Sequence, residues 1–266
     1  KGNGPGEMFS CALGLHSNAS DNFYLQDSNS KTCYIVDLKT LLNSRRFVPD
    51  EQFRYSSEVL PTSDLCLLDD NRYIGYHMWY LDDKQFSKVD SPIGYYQKGE
   101  DSGKGMDDFP FFVASVNGAR LFKNPQTQEL WTADMHRDAI RIYNDSLKQI
   151  RELVGPDHFS PEYTRRQIDA PVAFVTFADE CDYHAYTDYY ITDKHIYLVY
   201  EGNKHFDMKN LSPVEIFKLD FDGNLLCNYK LDRYVYSISI NKKEDTLYCA
   251  SRPSVMEPPV ILKYKL

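Results

Sequence analysis

The segment of the sequence with the most chemical potential is the acidic run Asp179-Glu180-Cys181-Asp182-Tyr183-His184. In an extended chain Glu180, Asp182 and His184 alternate, so they share one face of a strand. Two carboxylates and an imidazole are suitable ligands for Ca²⁺ or a transition metal. A solvated acidic loop is the favoured alternative, because charged side chains are mostly exposed. We expect no cofactor; if a metal binds, Ca²⁺ is the candidate and Glu180, Asp182 and His184 are its candidate ligands.

A second group of chemically suggestive residues is aromatic and lies between positions 76 and 96. Aromatic rings with a polar tip at a loop rim make stacking platforms for sugars or peptides. Packing between sheets uses the same side chains, because large aromatics dominate buried cores, and this alternative is favoured. The ligand-binding hypothesis rests on four of these residues: His77, Trp79, Tyr80 and Tyr95.

Residues that could act as nucleophiles do not form a complete catalytic set. Ser115 lacks the flanking glycines of a nucleophile elbow and lies in a strand-like run. Cys181 and His184 are three positions apart, so on a strand they point to opposite faces. The sequence therefore predicts no catalytic residues.

The elements that must position these residues repeat along the chain. Five times a polar turn is followed by an apolar and aromatic strand, a gap and a second strand. The repeats are separated by about 50, 57, 66 and 51 residues, measured between Phe23, Tyr73, Leu130, Ile196 and Leu247. A four-stranded sheet with two apolar faces buries both only when such sheets stack radially. We therefore predict an all-β fold, a β-propeller of four-stranded antiparallel blades with loop insertions.

Local signals add detail to this prediction. Asp222-Gly223 supplies the turn of a hairpin over 216–227, and 140–150 repeats that layout with weaker turn chemistry. A Ser followed by Pro predicts one helical turn within 160–167. Another helical turn is expected near 38–42, and Trp131 is expected in the core.

Composition and charge exclude several classes of function. The 266 residues are 42% hydrophobic and include 21 Tyr, which favours strands and one domain over 1–266. The formal net charge of -9 argues against binding to nucleic acid and against electrostatic docking on an anionic membrane. No apolar run approaches the about 18 residues that span a bilayer. The opening residues lack the regions of a signal peptide, which is typical of a segment from within a longer protein.

Six cysteines stand at positions 11, 33, 66, 181, 227 and 249, and no two have CxxC spacing. A zinc knuckle is therefore not expected. Buried free thiols are the favoured interpretation, with disulfides as the alternative for an exported protein.

The opening Gly2-Asn3-Gly4-Pro5-Gly6-Glu7 resembles the GxGPGE segment that joins the first two blades in TolB-like six-bladed propellers of exported bacterial lipoproteins. The resemblance covers nearly the whole chain, and it continues through residues 33–42, 190–197, 220–224, 229–233 and 261–266. It implies six blades, of which five units are visible, with the first blade upstream of Lys1 or missing. It also implies an exported lipoprotein of the periplasm or outer membrane, which meets the membrane only through a lipid anchor outside this segment.

Two functions are compatible with these observations. The first is a non-enzymatic binding or scaffold module, which holds a protein or glycan partner of the envelope on one propeller face. The second is a carbohydrate- or ester-active enzyme with a site in the central channel. Inward positions on first strands offer His184, Tyr186, Ser237 and Ser239 for such a site. We expect the first, because the sequence contains no complete catalytic set.

Overall fold

The computed structural model describes residues 15–17, 22–27, 32–44, 49, 51–54, 62–67, 73–77, 86–88, 91–93, 118–161, 163–167, 173–177, 184–203, 211–252, 254 and 256–266. The chain divides into two compact units, Lys1–Ser115 and Val116–Leu266. Within the described residues, antiparallel strands form six sheets, and one short helix is present. This composition of elements agrees with the predicted all-β fold.

The first unit contains two four-stranded sheets whose strands are hydrogen-bonded in chain order. The first sheet consists of β1 (Leu15–Ser17), β2 (Asn22–Asp27), β3 (Thr32–Asp37) and β4 (Glu51–Arg54). Helix α1 (Leu38–Ser44) connects β3 to β4. The second sheet consists of β5 (Thr62–Leu67), β6 (Tyr73–His77), β7 (Phe86–Lys88) and β8 (Ser91–Ile93).

The helix confirms the helical turn that was predicted near 38–42. Asp37 caps it, because its Oδ1 accepts a hydrogen bond from the Thr40 backbone N–H at 2.7 Å. This backbone hydrogen bond is the main cause that holds the pKa of Asp37 below its usual value.

The second unit holds the other four sheets. Its first sheet is β9 (Ala119–Lys123), β10 (Leu130–Asp134), β11 (Ala139–Tyr143) and β12 (Gln149–Val154). A two-stranded sheet follows, β13 (Tyr163–Gln167) and β14 (Ala173–Phe177). The next sheet is β15 (His184–Ile191), β16 (Ile196–Asn203), β17 (Glu215–Leu219) and β18 (Leu225–Lys230). The last sheet has three strands, β19 (Val235–Ile240), β20 (Thr246–Ser251) and β21 (Val260–Lys265).

The predicted helical turn within 160–167 is wrong, because most of this segment is strand β13. Tyr163 pairs with Phe177 and Gln167 with Ala173 in an antiparallel ladder. The Ser and Pro that signalled a helix precede the strand. The ladder with β14 provides hydrogen-bond partners for the backbone N–H and C=O groups that a helical turn would have bonded within itself. The hairpin lies inside the 66-residue interval of the sequence repeat.

In the sheet β15–β18, the strand β16 is buried on both faces. The first strand of this sheet, β15, lies between β9 and β19, the first strands of the neighbouring sheets. Ile196 and Leu198 pack toward the sheet β9–β12, together with the fully buried Trp131. Tyr197 and Val199, the alternate residues of β16, pack toward the sheet β19–β21. Burial of alternate residues on opposite faces is the packing expected of propeller blades, and Trp131 lies in the core as predicted.

The predicted hairpin over 216–227 is confirmed as the pair β17–β18. Gly223 has a φ of 87°, a conformation that favours glycine, and Asp220 Oδ1 accepts hydrogen bonds from the backbone N–H groups of Asp222 and Asn224. The hairpin β11–β12 is also confirmed. Its turn places Leu147 at a φ of 59°, and this non-glycine residue explains the weaker turn signal.

Four of the six cysteines lie in the described residues, and all four are free thiols. Cys33, Cys66 and Cys249 are buried, as the sequence predicted. Burial raises the pKa of Cys33 and of Cys249 to about 12, so both thiols are unreactive at neutral pH.

Candidate functional site

In three sheets of the second unit, the first strand begins at the edge where the second strand ends. Ala119 pairs with Asp134, His184 with Asn203, and Val235 with Ser251. Polar side chains from the three sheets meet along this edge, which we call the rim: His136, His184, Glu201, Tyr234 and Arg252.

The centre of the rim is a contact between an imidazole and a buried carboxylate. His184 Nδ1 lies 3.6 Å from Glu201 Oε2, and only 1% of the Glu201 side chain is exposed. His136, from the loop between β10 and β11, sets its ring edge-on to that of His184, with 5.5 Å between the ring centroids. The sheets β9–β12 and β15–β18 therefore each contribute an imidazole to this contact.

The third sheet reaches Glu201 from the other side. Tyr234 interacts with Glu201, and the pKa of this tyrosine is raised, first by burial and then by the charge of Glu201. Arg252 acts on the same tyrosine electrostatically and lies over the ring of Tyr236, with its Cζ 5.0 Å from the ring centroid. Ser251 Oγ donates to the carbonyl of Tyr234 at 2.6 Å and fixes the loop.

The loop that carries His136 is anchored by a buried ion pair. Arg141 Nη1 lies 2.5 Å from Asp134 Oδ2, and Arg137 Nη1 lies 3.9 Å from the same oxygen. Burial raises the pKa of Asp134, although both guanidinium groups oppose that effect. The Ala185 backbone N–H donates to the carbonyl of Met135 at 2.8 Å, which binds this loop to the start of β15. These contacts hold the loop that carries His136 in a fixed position at the rim.

Below the rim, a row of polar residues crosses the first strands of the same three sheets. Asp188 of β15 accepts a hydrogen bond at Oδ2 from the Ile238 backbone N–H of β19, at 2.8 Å. The Ser237 side chain and the charge of Arg120 on β9 also act on this carboxyl group, and both lower its pKa. Burial raises the pKa of Asp188 to about 6, against the lowering effects of Arg120 and these hydrogen bonds.

The predicted metal residues are only partly within the described chain. His184 lies on the rim at the start of β15, whereas Glu180 and Asp182 lie outside the described residues. In the part of the chain that the structure describes, no group of three or more His, Cys, Asp or Glu side chains is arranged to hold a metal ion. The three-residue Ca²⁺ site stays a prediction.

The predicted aromatic ligand site lies almost wholly outside the described residues. His77 ends strand β6, where its backbone pairs with Thr62. Trp79, Tyr80 and Tyr95 are outside the described chain, so this site also stays a prediction.

The channel positions that the sequence suggested divide into two kinds. Ser237 and Ser239 are exposed on β19, and Ser237 joins the polar row. Tyr186, by contrast, is buried between two sheets, and its hydroxyl donates to Asp138 Oδ1 at 3.1 Å. A register irregularity between His184 and Tyr186 turns the tyrosine toward the core.

Sequence reasoning missed four of the five rim residues: His136, Glu201, Tyr234 and Arg252. Each follows or precedes a predicted strand, and that position was the only available signal. The contact of Tyr234 with Glu201 joins two separate sheets, so no local spacing records it.

Among the described residues, no helix has the length and apolar character that crossing a membrane requires.

Comparison with protein families gives one match over most of the chain. A family model described as TolB-like 6-blade propeller-like matches residues 1–243. No protein of curated function matches the sequence significantly.

Solved structures with a similar fold include two that align over essentially the whole chain. One is a member of the DUF4221 family from Bacteroides vulgatus, with a TM-score of 0.55 and 10% identity, over 99% of this chain and 81% of the other. Hydrazine synthase of Kuenenia stuttgartiensis has a TM-score of 0.51 and 10% identity, over 100% of this chain. The chain spans only 64% of that protein's chain. Identities this low show a shared fold and nothing more about function.

Proposed function

The chain belongs to the TolB-like 6-blade propeller-like family, and from this premise we propose that it is a non-enzymatic binding or scaffold protein of the bacterial envelope. In this proposal a protein or glycan partner docks on the rim of the second unit. Families of this type are generally periplasmic or envelope-associated, which supports an exported location. A lipid anchor outside this segment is part of the same proposal.

The observation that carries the proposal is the convergence of polar groups from three sheets at one edge. His184 and Tyr234 act on the buried carboxylate of Glu201, His136 packs against His184, and Arg252 acts on Tyr234. Hydrogen bonds from Ala185 and Ser251 to loop carbonyls fix the flanking loops. A site that is ordered before binding loses less conformational entropy when a partner docks. Aromatic and arginine side chains are also the types that dominate binding energy at interfaces.

The alternative, a carbohydrate- or ester-active enzyme, has one observation in its favour. Asp188 lies on a first strand with its pKa raised to about 6, and perturbed carboxyl groups cluster at catalytic sites. Its carboxyl group, however, already accepts a hydrogen bond from the Ile238 backbone N–H. We therefore favour binding. Turnover of chromogenic glycosides or esters that is lost in Asp188→Asn would reverse this preference.

The test compares the wild-type chain with a rim variant and a matched control. The rim variant is His184→Ala with Arg252→Ala. The control, Lys194→Ala with Lys242→Ala, removes two exposed charges from turns at the opposite edge of the same sheets. Each protein is crosslinked to a native envelope fraction and also applied to a glycan array.

We expect the wild type and the control to retain the same partner, and the rim variant to bind it at least about tenfold more weakly, or about 1.4 kcal/mol. Equal retention by all three proteins contradicts a rim site. Absence of any partner in both assays contradicts the binding function itself. Thermal unfolding of each variant excludes loss of fold as the cause.

A further inference from the structure

The connection between β12 and β13 begins beside the rim. Strand β12 ends at Val154, which pairs with Ala139 at the start of β11, so the connection leaves the sheet next to the loop that carries His136. We call residues 155–159 the rim segment. Three consecutive residues of this segment are exposed: Pro156, Asp157 and His158. Exposed connections are usually mobile, but this one is bonded to the core of the unit.

The backbone of the rim segment is held by Asp138, a buried residue of the His136 loop. Asp138 Oδ2 accepts hydrogen bonds from the backbone N–H groups of Asp157 and His158, at 2.6 and 2.9 Å. The Asp138 backbone N–H donates to the carbonyl of Phe159 at 3.1 Å. Asp138 Oδ1 in turn accepts from the hydroxyl of the buried Tyr186 at 3.1 Å. The exposed segment is therefore connected to a buried tyrosine of the neighbouring sheet.

A second buried tyrosine of that sheet holds a side chain of the rim segment. The Tyr200 hydroxyl donates to Asp157 Oδ2 at 2.6 Å, and its ring stacks on that of Phe217 with 4.7 Å between the centroids. Gly202 allows this close approach. Its φ is 59°, and a Cβ there would stand 3.1 Å from Asp157 Oδ2 and 2.7 Å from Tyr200 Cε1.

His158 is the residue whose display these contacts serve best. Its φ is 53°, a conformation that costs energy in a residue other than glycine and that persists only where surrounding bonds impose it. Here the bond from its backbone N–H to the buried Asp138 imposes it. Residues held in this way cluster at functional sites. The buried bonds thus fix the backbone that carries an exposed imidazole.

We propose that the rim segment is a second part of the rim binding surface, formed before binding, with His158 as its contact residue and a polypeptide as the partner. This inference rests on the proposed function, because it concerns the same edge of the same sheets. An imidazole can donate and accept hydrogen bonds, which suits the mixed polar groups of a polypeptide. A sugar chain would need open aromatic faces for stacking, whereas Tyr186 and Tyr200, which hold the segment, are both buried.

The partner contact is tested with His158→Asn, because asparagine adopts a positive φ more readily than most residues and lacks the imidazole. Gln128→Asn is the matched control, since Gln128 is exposed, has a φ of 63° and lies in the turn between β9 and β10 at the opposite edge. Full-length wild type and variants are incubated with the native envelope fraction. The retained polypeptide is identified by mass spectrometry, and its affinity for each purified protein is measured. We expect the control to bind like the wild type, and His158→Asn to bind at least about fivefold more weakly.

The fixed position of the rim segment is tested by hydrogen exchange of the Asp157 and His158 amides, which needs no partner. Tyr200→Phe removes the hydroxyl that holds Asp157. Because a hydrogen bond to a charged group is lost, both amides should exchange about tenfold faster than in the wild type. Tyr197→Phe is the control. It removes a buried hydroxyl of the same strand that donates to Glu244 at the opposite edge, and it should leave both rates unchanged.

Equal affinity of His158→Asn and the wild type for a polypeptide that the rim variant loses would overturn this inference and leave the proposed function intact. A wild type that binds only a glycan overturns the polypeptide partner. A wild type that binds neither contradicts the proposed function itself, so the wild type alone distinguishes the two failures. Wild-type amides of Asp157 and His158 that exchange as fast as those of an unfolded chain overturn the preformed segment, whether or not Tyr200→Phe folds. Thermal unfolding of each variant excludes loss of fold as the cause.

Discussion

Gly155 lies where the second unit has no space for a side chain. A Cβ at this position would stand 1.9 Å from Asp138 Oδ1 and 2.6 Å from the Tyr186 hydroxyl. These two atoms hydrogen-bond to each other, and Asp138 Oδ2 accepts from the backbone N–H groups of Asp157 and His158. The neighbours are thus held from several sides and cannot move aside cheaply.

Gly155→Ala should therefore destabilise the fold by about 2–4 kcal/mol, because it disrupts a buried hydrogen-bond network. Ser146→Ala, in the exposed turn between β11 and β12, is the control and should change stability by no more than about 0.5 kcal/mol. Urea unfolding followed by circular dichroism measures both. Equal midpoints for Gly155→Ala and the wild type would mean that Asp138 has another position available.

The residues of the rim show how far single positions can be predicted from sequence. His184 stood out because it ends an acidic run, and the structure places it on the rim. Its contact Glu201 lies on the adjacent strand β16, and Tyr234 lies on the next sheet. Local spacing within one strand does not record which loops of neighbouring sheets will meet. A site built from several sheets is therefore only partly visible in one sequence.

At the scale of elements, a carboxylate joins the last sheet to the sheet before it, at the edge opposite the rim. Glu244, in the turn between β19 and β20, contacts four residues of the neighbouring sheet: Thr192, His195, Tyr197 and Lys218. His195 Nδ1 lies 2.6 Å and Lys218 Nζ lies 3.2 Å from Glu244 Oε2. Glu244 has a φ of 56°, a conformation that glycine would adopt more easily. Glutamate at this position is explained by the contacts of its side chain.

Glu244→Gln should lower the free energy of unfolding by about 1–3 kcal/mol at neutral pH, the usual range for hydrogen bonds to a charged group. Burial raises the pKa of Glu244, but the bonds from Thr192, His195 and Lys218 outweigh it and lower the pKa from 4.5 to about 2. Because the folded pKa is depressed, this stabilisation is complete above about pH 4.5 and is lost as pH falls toward about 2.

The difference in stability between the wild type and Glu244→Gln should therefore be constant above about pH 5 and shrink in acid. Urea unfolding at a series of pH values measures it. Glu257→Gln, at an exposed position in the connection between β20 and β21 of the same sheet, is the control and should follow the wild type throughout. A difference that stays constant down to pH 2.5 would show that Glu244 acts without its charge.

Elements with their own turn chemistry could be predicted, and elements that depend on a partner could not. The β17–β18 hairpin was predictable because Asp222-Gly223 marks its turn and apolar runs flank it. Strand β13 was mistaken for a helical turn, because Ser and Pro signal a helix start locally. Strand β13 pairs with β14, but the sequence between these two strands contains no comparable turn signal. Local signals were outweighed where hydrogen bonds formed between segments.

At the scale of the whole molecule, the sequence repeat predicted the sheets better than the loops. Each of the five repeats corresponds to one sheet with three or four strands among the described residues. The β13–β14 sheet lies in the longest interval between repeats. The repeat is informative because each sheet must bury two apolar faces, so its strands keep apolar residues at successive positions. Loop insertions have no such requirement.

Burial of both faces gives a test that separates stacked blades from a sheet with one solvent face. Leu198 and Val199 are consecutive in β16 and are both fully buried, Leu198 toward the sheet β9–β12 and Val199 toward the sheet β19–β21. Leu198→Ala should cost about 2–5 kcal/mol and Val199→Ala about 1–3 kcal/mol, since each loses buried methyl groups and leaves a cavity. Leu226→Ala, on the outer strand β18 with 51% of its surface exposed, is the control and should cost under about 1 kcal/mol. Urea unfolding measures all three. A neutral result for either β16 variant would mean that one face of this sheet meets solvent, which radial stacking forbids.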